Sequence, residues 1–310
     1  MNINKKCAPS KQYEDGSCFT HDALKKIARN YNRKSGKKIN VNLDKKNLVK
    51  ELESTLQDKC NNHACWLRLD IVKEIDNEDI LNNTFRPPGP SKKYEWLSTT
   101  HINNVVEQYQ ESHKDFMFLG AVPHDFDDLG ILGINDLDFH DVEKNGKTKI
   151  GMVINLDNHN QDGSHWVALY TDLEKNQVYF FDSVGKRPSK RIRKFINRIA
   201  KYLYKKTHKT KLPINDIVSK LKDINKLTKE DIQKIVDENI HLRNILNGNF
   251  DIKYNDIQHQ FDNSECGVYS MNFIIRLVEG ETFDDIVKNV TRDEEMNKFR
   301  SEYFINVNHK

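Results

Sequence analysis

Apolar residues recur at helical spacing along the first 90 residues of the chain. Three stretches repeat them every three or four positions, and each predicts an amphipathic helix: His21–Tyr31, Lys45–Leu56 and Ala64–Ile75. A proline-rich run at residues 86–90 then ends regular structure. We therefore interpret residues 1–90 as a helical N-terminal arm that precedes a second domain at 91–310.

The second domain mixes strand-like and helix-like patterns. Apolar runs of strand length occur at Phe116–Val122, Ile150–Leu156, Trp166–Thr171, Gln177–Asp182 and Phe250–Ile257. Helices are predicted from a cap at Ser98 to about residue 113, from Pro188 through Lys206, at Ser264–Glu279 and at Thr291–Phe304. Residues 207–248 are interpreted as an inserted pair of helices. Together these elements predict an α+β fold in which a small central mixed sheet is flanked by helices.

Charge is nearly balanced over the 310 residues, with 49 Lys and Arg against 46 Asp and Glu. The balance does not require an anionic partner, so charge is informative only locally. Lys and Arg are concentrated at Lys186–Lys211, where Ile192, Phe195, Ile199 and Leu203 recur at helical spacing. We interpret this stretch as an amphipathic helix on the sheet with a solvated cationic face. A weak nucleic-acid contact through that face is the alternative.

Cysteine usage and hydropathy bear on the compartment. The five cysteines are odd in number and unevenly spaced, so we expect no disulfide framework and a reducing environment: Cys7, Cys18, Cys60, Cys65 and Cys266. The spacing of Cys60, His63 and Cys65 does not match a zinc knuckle, and no metal site is expected. The chain has no membrane-length apolar run and no signal-peptide core at its start, which indicates a soluble intracellular protein.

Cys266 has the sequence context of a nucleophile. Asp262, Asn263 and Ser264 are capping residues, and they place Cys266 in the first turn of an apolar helix. Unpaired backbone N–H groups and the helix dipole at that end favour the thiolate form of cysteine. On its own this context also fits a buried core cysteine.

His165 and Asp182 flank two consecutive apolar strands. His165 stands immediately before Trp166–Thr171, and Asp182 ends the next strand. If these strands pair as a hairpin, both side chains reach the same edge of the sheet. The carboxylate can then orient the imidazole as a general base.

Gln260 lies six positions before Cys266, on the loop that enters the predicted helix. Its side-chain amide can join the Cys266 backbone N–H in binding an oxyanion. A base, an orienting acid, an oxyanion donor and a nucleophile together predict a cysteine peptidase.

These residues carry a family resemblance. The pattern His-Trp, a strand ending in Phe-Asp-Ser, and Gln260 six residues before Cys266-Gly resembles the clan of SUMO-type and adenovirus proteases. The segment Glu95–Thr99 is similar to the clan's Trp-Leu-Asn-Asp, with Ser and Thr in place of Asn and Asp. The stretches 85–90, 259–267 and 292–300 resemble more closely the polyprotein-processing cysteine proteases of African swine fever virus and related large DNA viruses. In the swine fever enzyme an Asn takes the place of Asp182.

The resemblance implies a papain-like catalytic core that needs no cofactor. It implies that Trp96 and Trp166 flank a narrow tunnel admitting only Gly-Gly ahead of the scissile bond. The expected substrates are viral structural polyprotein or capsid precursors, cleaved during virion maturation in the host cytoplasm and the virion. We expect a monomer without a membrane partner. Adenovirus proteases are stimulated by DNA, which keeps nucleic-acid contact by the basic helix as an alternative.

Two alternatives to this function remain open. The same chemistry serves a deconjugating protease that acts on host SUMO or ubiquitin-like modifiers. A non-enzymatic binding module on a protease fold is the second, although the full set of His165, Asp182, Gln260 and Cys266 argues against it.

Overall fold

The computed structural model describes residues 2–36, 38–208 and 250–306, with the side chains of 207 and 208 excluded. The predicted helix pair at 207–248 therefore lies almost wholly outside the described residues. Within these ranges the chain forms two compact units. The arm unit comprises residues 2–113 and 294–306, and the sheet unit comprises Lys114–Asp293.

The boundary between the units differs from the one predicted at residue 90. Residues 91–113 group with the arm, and one side chain shows why. Gln108 is buried, and its amide nitrogen donates to the carbonyls of Asn82 and Phe85, at 2.7 Å each. Because this buried amide donates to two carbonyls of the arm, it attaches residues 91–113 to the arm.

The arm unit is helical, as the apolar periodicity predicts. Its helices are His21–Ser35, Lys45–Leu56, His63–Trp66, Asp70–Lys73, Glu78–Asn82, Thr99–Glu107, Tyr109–Ser112 and the part of Asp293–Tyr303 from residue 294 onward. Leu24, Ile27, Leu48 and Leu52 are fully buried in its core beside Trp66. Ser98 caps its helix as predicted, since its side chain accepts from the His101 N–H.

The prediction of one continuous helix at Ala64–Ile75 is wrong. The structure has two single-turn helices there, His63–Trp66 and Asp70–Lys73. Between them the N–H groups of Arg68 and Leu69 donate to carbonyls only three residues back. These tight turns interrupt the helix.

The expectation that the chain has no disulfides is also wrong. Cys7 is bonded to Cys18 and Cys60 to Cys65, with Cα–Cα distances of 5.3 and 5.7 Å. Both pairs lie in the arm unit, where local turns bring close-spaced residues together. The Cys60 and Cys65 sulfurs are bonded to each other, so they are not available as thiolate ligands for zinc. The odd cysteine count leaves Cys266 as the free thiol.

Among the described residues of the other unit, five strands form one mixed sheet. Its strands, in both chain and spatial order, are β1 Phe116–Val122, β2 Lys149–Asn155, β3 Trp166–Asp172, β4 Gln177–Phe181 and β5 Asp251–Tyr254. β2, β3 and β4 are antiparallel neighbours, whereas β1 and β5 pair in parallel with β2 and β4. The predicted strands and the α+β class are confirmed, although β5 ends three residues earlier than expected.

Helices cover both faces of this sheet. Successive side chains along each strand point to opposite faces, so each strand contributes to both cores. Val167 and Leu169 of β3 point into a core shared with Ile192, Phe195, Ile199 and Leu203 of the basic helix, Lys190–His208. This confirms the predicted apolar face of that helix. On the opposite face Phe181 of β4 stacks on Phe273 of the nucleophile helix, Cys266–Val278, with ring centroids 4.8 Å apart.

Two short helices of the sheet unit, Phe139–Lys144 and Phe283–Lys288, carry too few turns to be recognised by periodicity. The predicted last helix, Thr291–Phe304, is found at Asp293–Tyr303. Among the described residues no helix is both long and apolar enough to cross a bilayer.

Gly151 on β2 sets how closely the nucleophile helix approaches the sheet. A Cβ at this position would lie 2.9 Å from Ile274 Cγ2 and 2.9 Å from Phe116 Cε2. Both neighbours are buried, so neither can move away without disturbing the core. Only glycine allows this approach.

We predict that Gly151→Ala destabilises the protein by about 1–3 kcal/mol, because the added methyl overpacks the contact between helix and sheet. Chemical denaturation monitored by tryptophan fluorescence measures the change in unfolding free energy. Gly130→Ala is the matched control, since a Cβ there meets nothing within 4 Å. Equal stability of the two variants would contradict the close-approach argument.

Candidate active site

The β3–β4 hairpin brings His165 and Asp182 to one edge of the sheet, as predicted. Ala168 pairs with Phe181 in the antiparallel register, so the residues just outside the two strands are neighbours. His165 Nε2 lies 2.7 Å from Asp182 Oδ1. The same oxygen accepts the Val184 N–H at 3.0 Å. The side chain of Asp182 is 2% exposed and that of His165 is 18% exposed, so the acid is shielded while the base stays accessible.

Asn255 holds Asp182 in place, and the sequence analysis missed it. Its Oδ1 accepts the Asp182 N–H and its Nδ2 donates to the Asp182 carbonyl, at 2.8 Å each. The Nδ2 group also donates to the Ile257 carbonyl at 3.0 Å. Asn255 is buried directly after β5. The sequence does show a polar residue, Asn255, directly after the predicted last strand. Linking it to Asp182 requires knowing that β5 pairs with β4, and this pairing is not visible in the sequence.

Cys266 is the first residue of the nucleophile helix and is buried. Its thiol lies near enough to the His165 side chain to raise the pKa of the imidazole. Because Nε2 is bonded to Asp182, Nδ1 is the ring nitrogen left to face the sulfur. The predicted capping by Asp262, Asn263 or Ser264 is wrong: Glu265 occupies the N-cap without a side-chain capping bond. The Ser264 hydroxyl instead donates to the Glu265 carboxylate.

The surroundings of His165 favour its protonated form. Burial by itself lowers the pKa of His165. The interactions with Asp182 and Cys266 act in the opposite direction and outweigh burial, so the pKa is raised to about 9. The imidazole is therefore protonated at neutral pH.

Gln260 reaches the same edge through contacts with Ser183. Its Oε1 accepts the Ser183 hydroxyl at 2.6 Å, and its main-chain N–H donates to the Ser183 carbonyl at 2.9 Å. The side-chain Nε2 donates one hydrogen to the Asp262 carbonyl at 2.7 Å. An amide nitrogen carries two hydrogens, so one more is available for an oxyanion.

Other histidines of the sheet unit are placed differently. His159 pairs with Asp125 at 2.6 Å, as His165 does with Asp182, but the side chain of His159 is 55% exposed. Among the described cysteines only Cys266 belongs to the sheet unit, so it is the one thiol that a base of this unit could activate. His259 is buried against Phe181 and Tyr269. Burial and the charges of Arg276 and Arg292 lower the pKa of His259, so it is neutral at pH 7. These two histidines are therefore poorer candidates for the base than His165.

The two tryptophans predicted to bind substrate lie in different units. Trp166 is the first residue of β3, next to His165, and is buried. Trp96 belongs to the arm unit and is 48% exposed. The predicted tunnel between them stays a prediction.

The sheet, the hairpin-held His–Asp pair and the thiol on a helix start are those of a papain-like cysteine protease. The catalytic-domain model of the Ulp1 protease family matches residues 147–309, a range that contains all four predicted catalytic residues. The chain belongs to this family and is a cysteine protease.

Viral relatives extend the match over the whole chain. A protein named as a thiol protease from Acanthamoeba polyphaga mimivirus is 33% identical and covers 99% of this chain and 94% of its own length. A SUMO-1 cysteine protease of African swine fever virus is 22% identical, covering 84% and 89%. The crystal structure of the African swine fever virus protease aligns with a TM-score of 0.63 at 19% identity, covering 99% of this chain and 97% of that chain. The resemblance to this family noted in the sequence is thereby confirmed.

We predict that Asp182→Ala lowers the pKa of His165 from about 9 toward its ordinary value of 6.5, because the variant has neither the hydrogen bond nor the negative charge. The titration of the His165 ring can be followed by NMR in protein with labelled histidines. His140→Ala changes no site residue and controls for general perturbation. An unchanged midpoint in Asp182→Ala would contradict the proposed electrostatics.

Proposed function

We propose that Cys266 attacks a peptide carbonyl as a thiolate. In this mechanism His165 holds the thiol proton and then delivers it to the leaving amine, and Asp182 keeps the imidazole oriented through Nε2. Gln260 and the Cys266 N–H bind the oxyanion. The observation that carries the proposal is the hydrogen bond between His165 and Asp182, beside a Cys266 thiol that is near enough to raise the pKa of the imidazole. Water then hydrolyses the thioester with His165 as the base, which frees the enzyme.

The substrates we propose are viral structural polyprotein precursors, cut after Gly-Gly during particle maturation in infected cells. Support comes from the viral relatives and from the motifs shared with polyprotein-processing enzymes. The position of Trp166 adds a physical reason. In this proposal the indole of Trp166, which begins β3 directly after His165, narrows the space beside the reacting carbonyl, and glycine is the residue that needs the least space.

Removal of SUMO from conjugates is the second candidate function. One specific observation favours it: the African swine fever virus relative is named a SUMO-1 cysteine protease. The chemistry at Cys266 would be the same, but a deconjugase must also bind the folded surface of the modifier. A binding module without activity is disfavoured, because His165, Asp182, Gln260 and Cys266 are all present and the His165–Asp182 hydrogen bond is formed.

We predict that the protein cleaves a viral precursor fragment containing Gly-Gly faster than a SUMO fusion with the same Gly-Gly-X junction. Sequencing the new N-termini identifies the cleaved bond. Cys266→Ala and His165→Ala should each abolish cleavage, whereas His140→Ala, which changes an exposed histidine, should retain it. Faster cleavage of the SUMO fusion would favour the deconjugase, and full activity of Cys266→Ala would remove the nucleophile assignment.

A nucleic-acid contact through the basic helix is a further part of the proposal. Between residues 186 and 206 there is no acidic residue, and eight cations are exposed: Lys186, Arg187, Lys190, Arg193, Lys194, Lys201, Lys205 and Lys206. Lys190, Lys194, Lys201 and Lys205 follow one side of the helix for about 22 Å. Lys190, Lys194 and Lys201 border a cleft of about 900 Å³. Lysine is depleted in protein interfaces but binds phosphate well, so the row suits a phosphate backbone.

We predict that the triple variant Lys190/Lys201/Lys205→Gln binds duplex DNA more weakly. The slope of log K against log salt should fall by about 0.9 for each phosphate that the variant no longer neutralises. Fluorescence anisotropy at several salt concentrations measures it. The matched control replaces three exposed lysines of the arm, Lys26, Lys50 and Lys59, by Gln. Equal slopes for the two triple variants would exclude the basic helix as the binding surface.

A further inference from the structure

Asp293 is a buried carboxylate that the mechanism above does not use. It is 6% exposed, at the end of the sheet unit and the first residue of the helix Asp293–Tyr303. It belongs to the stretch 292–300, to which the sequence assigns no chemical role. A buried carboxylate is costly unless its oxygens receive hydrogen bonds, so its partners indicate what it does.

One oxygen of Asp293 binds the loop that follows Gln260. Its Oδ2 accepts the N–H groups of Phe261 and Asp262, at 2.8 and 3.0 Å. Both residues have exposed side chains, so the loop is held by its main chain and not by side-chain burial. Charge-assisted bonds to consecutive N–H groups restrict the loop more strongly than bonds to water.

The other oxygen faces the nucleophile helix. Oδ1 lies 3.3 Å from the Tyr269 hydroxyl, and Tyr269 is on the first turn of that helix, three residues after Cys266. The same hydroxyl lies 2.8 Å from the Thr291 carbonyl and 3.2 Å from the His259 carbonyl, so its single hydrogen is shared among these two oxygens and Oδ1 of Asp293. Asp293 therefore connects the Gln260 loop to the helix that carries the thiol.

The connection reaches the Gln260 side chain through one residue. The Asp262 carbonyl accepts the Gln260 Nε2 hydrogen at 2.7 Å, while the Asp262 N–H is held by Asp293. Displacing Asp262 would rotate or release the amide that is aimed at the oxyanion. The Ser183 hydroxyl anchors only the other end of that amide, at Oε1.

Arg292 holds the outer side of the same loop. Its guanidinium lies 4.7 Å from the centre of the Phe261 ring, which is 60% exposed. This contact fixes a side chain at the surface and makes no bond to the loop backbone. The restraint on Asp262 therefore comes from Asp293.

We propose that Asp293 is a positioning residue that sets the Gln260 amide relative to Cys266 and so assembles the oxyanion site. This inference rests on the proposed function, since it assumes that Gln260 binds the oxyanion. Asp293 acts only through the loop and the helix. It does not take part in ionising the thiol, which depends on His165.

The experiment compares turnover with thiol reactivity. Gln260→Ala should lower kcat for the Gly-Gly substrate by about 10²–10³. Asp293→Ala should lower kcat by about 10–10², with little change in KM, because a misplaced donor weakens only transition-state binding. Alkylation of Cys266 by iodoacetamide forms no oxyanion, so both variants should react at the wild-type rate. Asp141→Ala, at an exposed acid on a separate helix, is the matched control.

Asp293→Asn tests the geometry, because its carbonyl oxygen can still accept both loop N–H groups. It should recover most of the activity that the alanine variant lacks. In the double variant Asp293→Ala/Gln260→Ala, the second substitution should cost little, since both remove the same interaction.

Three results would overturn the proposal. Wild-type kcat in Asp293→Ala would show that the carboxylate positions nothing. Losses that multiply in the double variant would show that it acts independently of Gln260. Parallel loss of alkylation and turnover would mean that Asp293 only maintains the fold. If the wild-type protein cleaves no Gly-Gly substrate, the proposed function fails first, and this is distinguishable because the failure is seen before any variant is compared.

Discussion

The hydrogen bond between His165 Nε2 and Asp182 Oδ1 is the contact on which the site depends. It determines which ring nitrogen faces the sulfur. The bond and the negative charge of the Asp182 carboxylate also help to keep the imidazole protonated. The register of the β3–β4 hairpin makes this hydrogen bond possible. β3 begins after His165, β4 ends before Asp182, and antiparallel pairing brings the two residues together. A slip of one residue would turn every β4 side chain to the opposite face of the sheet, so core packing also protects the catalytic geometry.

A frame of buried polar groups surrounds this bond and links distant parts of the chain. Asn255 binds the backbone of Asp182, and Ser183 binds both the main chain and the side chain of Gln260. Each connection joins residues more than 70 positions apart. Buried polar groups are costly when unpaired, so the frame favours one arrangement in which all partners are satisfied. That selectivity places His165 and Gln260 at one edge of the sheet.

Much of this arrangement could be predicted from the sequence, and the failures have a common cause. The strands and the hairpin follow from local apolar periodicity. The choice of His165, Asp182, Gln260 and Cys266 follows from their residue types and from their spacing relative to these elements. Asn255 and Asp293 act through pairings between remote segments, which no local pattern encodes. The broken helix at Ala64–Ile75 and the disulfides of the arm depend on turns whose geometry apolar spacing does not describe. The attachment of residues 91–113 to the arm likewise depends on one buried glutamine, Gln108.

The distribution of cysteines fits a protein that must keep one thiol reactive. Four cysteines form two pairs in the arm unit, and Cys266 is the free thiol of the sheet unit. The thiol of Cys266 is buried and lies near enough to the His165 imidazole to raise the pKa of that ring. The four arm cysteines are held in disulfides, so the cysteine proposed to attack the substrate is the one that no disulfide removes. Covalent pairing and the proposed nucleophilic chemistry therefore fall on different cysteines, in different units of one polypeptide.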